Sequence, residues 1–488
     1  MVWDPEFEVA FNPKTVAVVG ASRETLYYGD FVGNLQHAGF PGRIYPINPK
    51  AAGGEIHGLK TYPDLVSVPE PIDLVVISVP SHAVPSVLED CIAANAKNIH
   101  IFTAGFKEMG DEKGIALEKK LLEIAKRGGL RILGPNCMGL FVPASKLSIW
   151  ERITPEAGPV AFLSQSGGHA LQFVPEATRY GVRFSKVISY GNASVLDSID
   201  FLEYLANDAE TGLIGMYIEG VRNGRKLTTL VRDINATKPV IIWKGGSSDC
   251  GARAAASHTG ALGSENEVWD AFFKQTGAVI IDGLEELIDV TMTFLKLRPL
   301  PSNRVALIGA GGGNSVAGAD VCARAGLDLP HFTEKTLEEL GSFISPEGTI
   351  IKNPVDIGVV LRDINILLRS LEPVAADPMI DSIIFALPLD VMLMGDGQTQ
   401  QPPMNAPGEA VEKQSGVMNT LIRFNHENIY GKPLIIVLQP GMGSFVPGQR
   451  GQVQQVLLKE GIPVYFSLAR ASRAVGKFIQ YHEFHSKY

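Results

Sequence analysis

Short Val/Ile-rich runs recur along this chain, each ended by glycine, proline or a small polar residue and followed by a longer amphipathic stretch. Such runs read as parallel strands buried on both faces, and the stretches between them are long enough to be crossover helices. The first series is Thr15 to Val19, Leu74 to Ile77, Ile99 to Phe102 and Arg131 to Leu133, with a helix expected over Gly114 to Lys126. After Trp150 a second series follows: Val160 to Leu163, Lys186 to Ser189, Leu213 to Ile218, Val240 to Trp243 and Val279 to Ile281. Between its strands Ser194 to Ala206 has helical spacing. The third comprises Val305 to Ile308, Ser382 to Leu387, Leu434 to Leu438 and Val464 to Phe466. RPLPSN, Arg298–Asn303, carries two prolines and no apolar period and reads as a linker. The expected class is α/β, with three consecutive doubly wound domains over 1–147, 148–298 and 304–488. A length of 488 residues suits that number.

Charge and cysteine usage narrow the function classes. Forty-three Lys+Arg against 52 Asp+Glu leave a net charge of -9, which disfavours a broad electrostatic grip on nucleic acid or on an anionic membrane. An anionic ligand then needs a local site. Cys91, Cys137, Cys250 and Cys322 form no CxxC pair, so neither a disulfide framework nor a zinc ribbon is indicated. The start, MVWDPEFEVAFNPK, is acidic where a signal peptide is basic and apolar, and no apolar run reaches the ~20 residues of a membrane span. The expectation is a soluble protein in a reducing cytoplasm.

Several strand ends carry small, polar residues suited to ligands. VAVVGAS places Gly20, Ala21 and Ser22 where a helix begins, and backbone N–H groups at such a turn can approach a phosphate. The dinucleotide fingerprint would have glycine at positions 22 and 25, where Ser22 and Thr25 stand. Its ribose-binding acid is also replaced, since RIYPINPK ends in Asn48, Pro49 and Lys50. A cation there favours a phosphorylated ribose over a free diol, which tilts the reading from NAD towards coenzyme A. A plain strand–helix turn with a surface lysine is the alternative. In an open parallel sheet the loops after the other strands converge on the same turn. They supply Val79 and Pro80 in SVPSH, Thr103, Ala104 and Gly105 in FTAGF, and Asn136, Cys137 and Met138 in GPNCMG. Cys137 is expected to line the thiol end of the ligand rather than to act as a nucleophile.

The second series has its own strand–glycine–helix turn, Ser164, Gln165, Ser166, Gly167 and Gly168, an anion site suited to phosphate or a phosphoryl group. Serine-hydrolase chemistry is disfavoured, because Ser164 stands where a nucleophile elbow needs glycine. Further on, His258 sits among small residues in ARAAASHTGAL, where other groups can come close to its imidazole. A neutral imidazole is a competent nucleophile, and Glu219, ending GMYIEG, is the candidate carboxylate to orient it. A surface histidine is the competing reading of the same residues.

Taken in order and spacing, GAS at 20–22, INPK at 47–50, TAGF at 103–106, GPNCMG at 134–139 and SQSGG at 164–168 resemble the NDP-forming acyl-CoA synthetases. YGN with Asp197 and Asp200, YIEG at 217–220 and SHTGAL at 257–262 extend the likeness over about residues 1–300. That family includes ADP-forming acetyl-CoA synthetase and is related to succinyl-CoA synthetase. The resemblance implies a Rossmann-like CoA-binding domain followed by two flavodoxin-like domains, a transiently phosphorylated His258, and Glu219 orienting it. It implies reversible chemistry: phosphate and acyl-CoA give an acyl phosphate, His258 takes the phosphoryl group, and ADP receives it to make ATP and free carboxylate. The last third matches more loosely, through NPVD at 353–356, and IGAGGGNSV stands where Asn-Ala-Gly-Gly is expected, which leaves the place of Asn314 open. Nothing resembles an ATP-grasp region and no GxxxxGK[ST] loop is present, so the nucleotide and its Mg2+ are expected on a separate β subunit, in a hetero-oligomer. A succinyl-CoA synthetase α subunit would leave the last domain surplus. A CoA-sensing protein without turnover would need neither His258 nor Glu219, and the missing glycines argue against a dehydrogenase.

Overall fold

The computed structural model describes residues 5–22, 29–150, 156–248, 250–251, 253, 266–309, 312–345, 349–356, 364–389, 416–440 and 448–487. The strands of the first third are β1 (Thr15–Val19), β2 (Arg43–Ile47), β3 (Glu55–Ile56), β4 (Leu59–Lys60), β5 (Leu74–Ile77), β6 (Asn98–Ile101) and β7 (Arg131–Leu133). Five of them form a parallel sheet in the order β2-β1-β5-β6-β7, with β3 and β4 as a separate hairpin. Every residue of β1, β5 and β6 is buried, as a strand covered on both faces by helices must be. Helix Glu112–Gly128 shows why the helices sit where they do. Asp111 caps it by accepting from Gly114 N at 2.7 Å, Leu121, Ile124 and Ala125 turn inward, and left-handed Gly129 (φ 61°) ends it.

β8 (Gly139–Val142), β9 (Leu147–Ser148), β10 (Ala157–Ser164), β11 (Phe184–Ser189), β12 (Leu213–Ile218), β13 (Val240–Lys244) and β14 (Val279–Ile281) build a seven-stranded sheet in the order β14-β13-β12-β10-β11-β8-β9. β10 to β14 run parallel, and β8 and β9 add an antiparallel edge. The expected helix over Ser194 to Ala206 begins later, at Ser198–Asn207, because Asp197 and Asp200 form a capping box that fixes its start. The described residues of Met1–Thr178 and Val182–Leu287, with both these sheets, make one compact unit.

Arg179–Gly181 and Ile288–Tyr488 make a second unit. It holds β15 (Val305–Gly309), β16 (Val355–Asp356), β17 (Ser382–Pro388), β18 (Leu434–Gln439) and β19 (Val464–Tyr465), parallel in the order β16-β15-β17-β18-β19. In its NPVD segment Asn353 accepts from Leu307 N at 3.1 Å and donates to Val305 O and Pro330 O at 2.8 and 3.1 Å. That side chain therefore ties the edge strand β16 to β15. Asp289 and Arg470 form a bidentate ion pair, both bonds 2.7 Å, beside the Thr293–Tyr465 hydroxyl pair at 2.7 Å. No described helix is long and apolar enough to cross a membrane.

The parallel strands of all three sheets share one order: second, first, third, fourth, fifth. In that arrangement the chain reverses direction between the first and third strands, and a crevice opens outside their carboxyl ends. Among the described residues such switch points lie at β1/β5, β10/β12 and β15/β17.

Candidate functional site

At the β1/β5 switch point the turn Gly20–Ala21–Ser22 crosses close over the end of β5. Gly20 has φ 90° and donates to Ile47 O at 3.0 Å, and a Cβ on it would lie 2.2 Å from Ser78 O. Ala21 is buried and Ser22 exposed. Asn48 joins this turn to the next: its Nδ2 donates to Ala21 O at 2.8 Å and its Oδ1 accepts from Lys50 N at 2.9 Å. Its side chain thereby shapes the turn on which Pro49 and Lys50 stand exposed. Thr103 Oγ1 donates to Val79 O at 2.7 Å, and Gly105 (φ 105°) leaves room for Ser81. Asn136 N donates to Thr103 O at 3.0 Å. The SVPSH, TAGF and GPNCMG loops thus meet beside the Gly20 turn, as the topology requires. Pro80 and Ala104 are exposed there, and Val79, Thr103 and Asn136 are half-buried.

Cys137 sits deeper than its neighbours. It is 4% exposed, its Sγ faces Ile101 O at 3.7 Å, and burial pushes its thiol up out of the ionising range. His100, 0% exposed, lies below the same loop, and its Nε2 donates to Cys137 O at 3.1 Å. Burial pushes His100 down to about 4. The unfolded chain takes up that proton near 6.5, so the stability contributed by the neutral ring is complete above 6.5 and is lost as the pH falls through 4. Between pH 7.5 and 5 the protein should lose about 2 kcal/mol to this one group. His100→Gln, which keeps a donor for Cys137 O, should reduce that loss in denaturant titrations at the two pH values. An unchanged loss would remove His100 as its source.

The Ser164–Gly168 turn occupies the β10/β12 switch point. Ser164 is buried and donates to Ser166 O at 2.7 Å, while Ser166 Oγ caps helix Gly167–Arg179 by accepting from His169 N at 3.3 Å. Gln165 Oε1 accepts from Glu219 N and from Gly220 N, the latter at 3.1 Å, so the turn is bonded directly to the end of β12. Gly167 and Gly168 then present the first N–H groups of a 13-residue helix, the positive end of its dipole. Met138 packs against this turn, since a Cβ on Gly167 would lie 2.8 Å from Met138 Cγ, and Met138 N donates to Ser189 Oγ at 3.1 Å. The GPNCMG loop therefore touches both sheets of the first unit.

Glu219 is 8% exposed and accepts from Tyr217 OH at 3.0 Å. Burial, then the Glu219 charge, push the Tyr217 hydroxyl well up, so it stays a donor. His169 packs against the rings of both Tyr217 and Trp243, whose centres lie 4.4 and 4.3 Å away, and burial lowers its pKa against the pull of Glu219. His258 and the whole SHTGAL segment lie outside the described residues. The structure thus brings Ser164 to Gly168 and Glu219 into one site, and Gly20 to Ser22 with the other strand-end loops into a second.

Sequence reasoning missed the network that joins the two sheets. Lys107 Nζ donates to Asn192 O at 3.0 Å and pairs with Glu118 at 3.1 Å, and Asn192 Nδ2 donates to Glu108 at 2.5 Å and to Glu118 at 3.3 Å. Burial pushes Glu108 up, but the Asn192 bond and the N–H groups of Gly105 and Phe106 outweigh it and hold the carboxyl low. Glu108 thereby ties the TAGF loop to the YGN segment. His169 and Lys244, which is 8% exposed at the end of β13, were also missed. Among the described residues no group of three or more His, Cys, Asp or Glu could hold a metal ion.

Two family models match the chain: a CoA binding domain over residues 14–143 and a succinyl-CoA ligase like flavodoxin domain over 157–294. The α subunit of ADP-forming acetate–CoA ligase II from Pyrococcus furiosus is 35% identical over 93% of this chain and 93% of its own length. The ADP-forming acetate–CoA ligase I of Archaeoglobus fulgidus is 35% identical over 98% of this chain, which spans 64% of that relative. Among solved structures, the dinucleotide forming acetyl-coenzyme A synthetase 1 of Ca. Korarchaeum cryptofilum, in complex with phosphate and ADP, superposes with a TM-score of 0.80 at 29% identity, covering 98% of this chain and 97% of that one. On these likenesses the chain belongs to the family of ADP-forming acetate–CoA ligases.

Proposed function

We propose that the chain is the α-type subunit of an ADP-forming acyl-CoA synthetase, a reversible acid–thiol ligase acting on a small carboxylic acid. The observation that carries this reading is the joining of the Gln165–Gly168 turn to Glu219 at one switch point, an anion cradle next to a buried carboxylate. In the direction of ATP synthesis, a phosphate oxygen attacks the thioester carbonyl of an acyl-CoA. A C–O bond forms, the C–S bond breaks, and CoA leaves as the thiol. A ring nitrogen of His258 then attacks phosphorus, the bond to the acyl oxygen breaks, and the carboxylate departs. The phosphohistidine finally passes its phosphoryl group to ADP. Glu219 orients the imidazole through its other nitrogen and offsets the positive charge of the phosphorylated ring. The helix N-terminus at Gly167 stabilises the charge spread over the phosphoryl oxygens in flight.

In this reading residues 1–147 serve CoA, 148–298 carry the phosphohistidine, and 304–488 form an additional flavodoxin-like ligase domain. ADP and ATP, with Mg2+, bind an ATP-grasp β subunit in a cytoplasmic hetero-oligomer. No serine hydroxyl acts as a nucleophile in it: Ser164 and Ser166 spend their hydroxyls on the turn itself. Intact-mass spectrometry of the chain after incubation with acetyl-CoA plus phosphate, or with acetyl phosphate, tests the proposal. An acid-labile gain of one phosphoryl group supports it; tight CoA binding with no adduct from any acyl donor points to a CoA sensor instead.

The CoA end has its own test. Lys50 stands exposed on the turn that Asn48 fastens to Ala21, where a ribose 3′-phosphate would come within reach. Lys50→Ala should weaken CoA about tenfold, the worth of an exposed charge-assisted contact, and dephospho-CoA much less. Equal weakening of both, measured by calorimetry, would remove Lys50 from the 3′-phosphate.

A further inference from the structure

Two lysines of the second sheet are buried, and their surroundings differ. Lys186 is 1% exposed and its Nζ meets Asp208 and Glu210, each at 2.8 Å. That is a paired structural cation. Lys244 is 8% exposed, yet its Nζ donates to Gly245 O and lies 5.3 Å from the centre of the Trp269 ring, and among the described residues no carboxylate comes within 4 Å of it. An ammonium has three donors, and one carbonyl with one ring does not replace its water. A buried cation of this kind is completed by an anion.

Its place in the fold says which anion. Lys244 ends β13 opposite Ile218 in the register, so it stands beside the strand end from which Glu219 follows, at the carboxyl edge of the sheet. Burial lowers its pKa and the Glu219 charge raises it, which marks the two groups as electrostatic neighbours. A phosphate drawn to the Gly167 helix terminus would meet the Glu219 carboxylate, and like charges in a desolvated site repel strongly. A cation on the next strand end offsets that repulsion. Gly245 makes the approach possible: a Cβ there would lie 2.6 Å from Tyr217 OH, the hydroxyl that holds Glu219.

We infer that Lys244 is an anion-binding residue of the phosphoryl site, supplying the counter-charge that lets phosphate and the phosphoryl group occupy the switch point beside Glu219. The inference rests on the phosphoryl-transfer reading above, and its substrate class is a tetrahedral phosphate. The test uses the full chain with acetyl-CoA and varied inorganic phosphate, reading the phosphoryl adduct by mass, with CoA affinity as the control for folding. Lys244→Gln should raise the phosphate concentration for half-maximal adduct at least about tenfold, and Lys244→Arg should recover most of the loss. CoA affinity should not move. An unchanged phosphate dependence in folded Lys244→Gln overturns the inference.

If the wild type forms no adduct, the phosphoryl-transfer reading fails by itself, and equilibrium dialysis with labelled inorganic phosphate decides the role of Lys244. Binding that is lost in Lys244→Gln upholds it; binding that is equal in both proteins, or absent from the wild type, overturns it. If the variants do not fold, cyanate labelling of the wild type serves. Phosphate should protect Lys244 from carbamylation in peptide maps, and equal labelling with and without phosphate overturns the inference.

Discussion

The chain carrying His258→Ala should gain no phosphoryl group from acetyl phosphate or from acetyl-CoA plus phosphate, and ATP formation with its partner should fall by at least about four orders of magnitude. Alanine removes the only atom in the proposed sequence that bonds covalently to phosphorus on the protein, so no step beyond the acyl phosphate can proceed. CoA binding should stay within about twofold of the wild type, because the turns proposed to hold CoA end the strands of the first sheet. The alternative acceptor is identifiable. His169 is an imidazole described at the β10/β12 switch point, but its ring packs against both Tyr217 and Trp243 at 4.4 and 4.3 Å, and its backbone N–H is bonded to Ser166. A phosphoryl adduct surviving in His258→Ala and lost on further substitution of His169 would transfer the nucleophile's role to His169. Loss of CoA binding together with the adduct would instead show that the two sites do not divide the work as proposed.

What the sequence made legible follows from how parallel sheets are built. Strands buried on both faces are continuous apolar runs, so Thr15–Val19, Leu74–Ile77 and Leu213–Ile218 stand out between their flanking polar residues, and they are β1, β5 and β12 to the residue. Ligand loops in such sheets follow the strand ends, which is why Gly20, Thr103, Gln165 and Glu219 stand out from the sequence as candidates, and the structure places each of them just after a strand end. β9 and β16 do not stand out in this way: each has two residues, too few to show a period alone. The Lys107–Glu108–Glu118–Asn192 network joins positions up to 85 residues apart, and no local pattern marks charged residues that meet only through tertiary folding. Lys244 is hidden for a related reason. A lysine ending an apolar strand reads as a snorkelling surface residue, and only the packing of Trp269 over its ammonium shows that it is enclosed. Asn48 is legible as a position rather than a function, since its side chain reaches the backbone of both turns it separates.

Gly20→Ala should abolish measurable CoA binding and destabilise the fold, where the neighbouring Ser22→Ala should do little to either. The turn has no room for a side chain. A Cβ on residue 20 would lie 2.2 Å from Ser78 O and 2.8 Å from Ser78 C, and these are backbone atoms at the end of β5 that cannot rotate aside. The φ of 90° adds a conformational cost that alanine bears and glycine does not. Together these should cost about 3 kcal/mol of stability, read as a fall in denaturant midpoint. Moving the turn outward to relieve the contact would break the bond from Gly20 N to Ile47 O and drag Ala21, whose carbonyl holds Asn48, away from the turn bearing Lys50. One methyl group would therefore displace both turns of the proposed CoA site. A loss of affinity exceeding about a hundredfold is expected from backbone N–H groups so misplaced. The comparison with Ser22→Ala separates this mechanism from a general weakening of the turn, because Ser22 is exposed and sits next to Ala21 on it. If Gly20→Ala loses stability as expected but still binds CoA normally, the diphosphate does not lie on this turn, and the first sheet must hold CoA through the Lys50 and Asn136 loops alone.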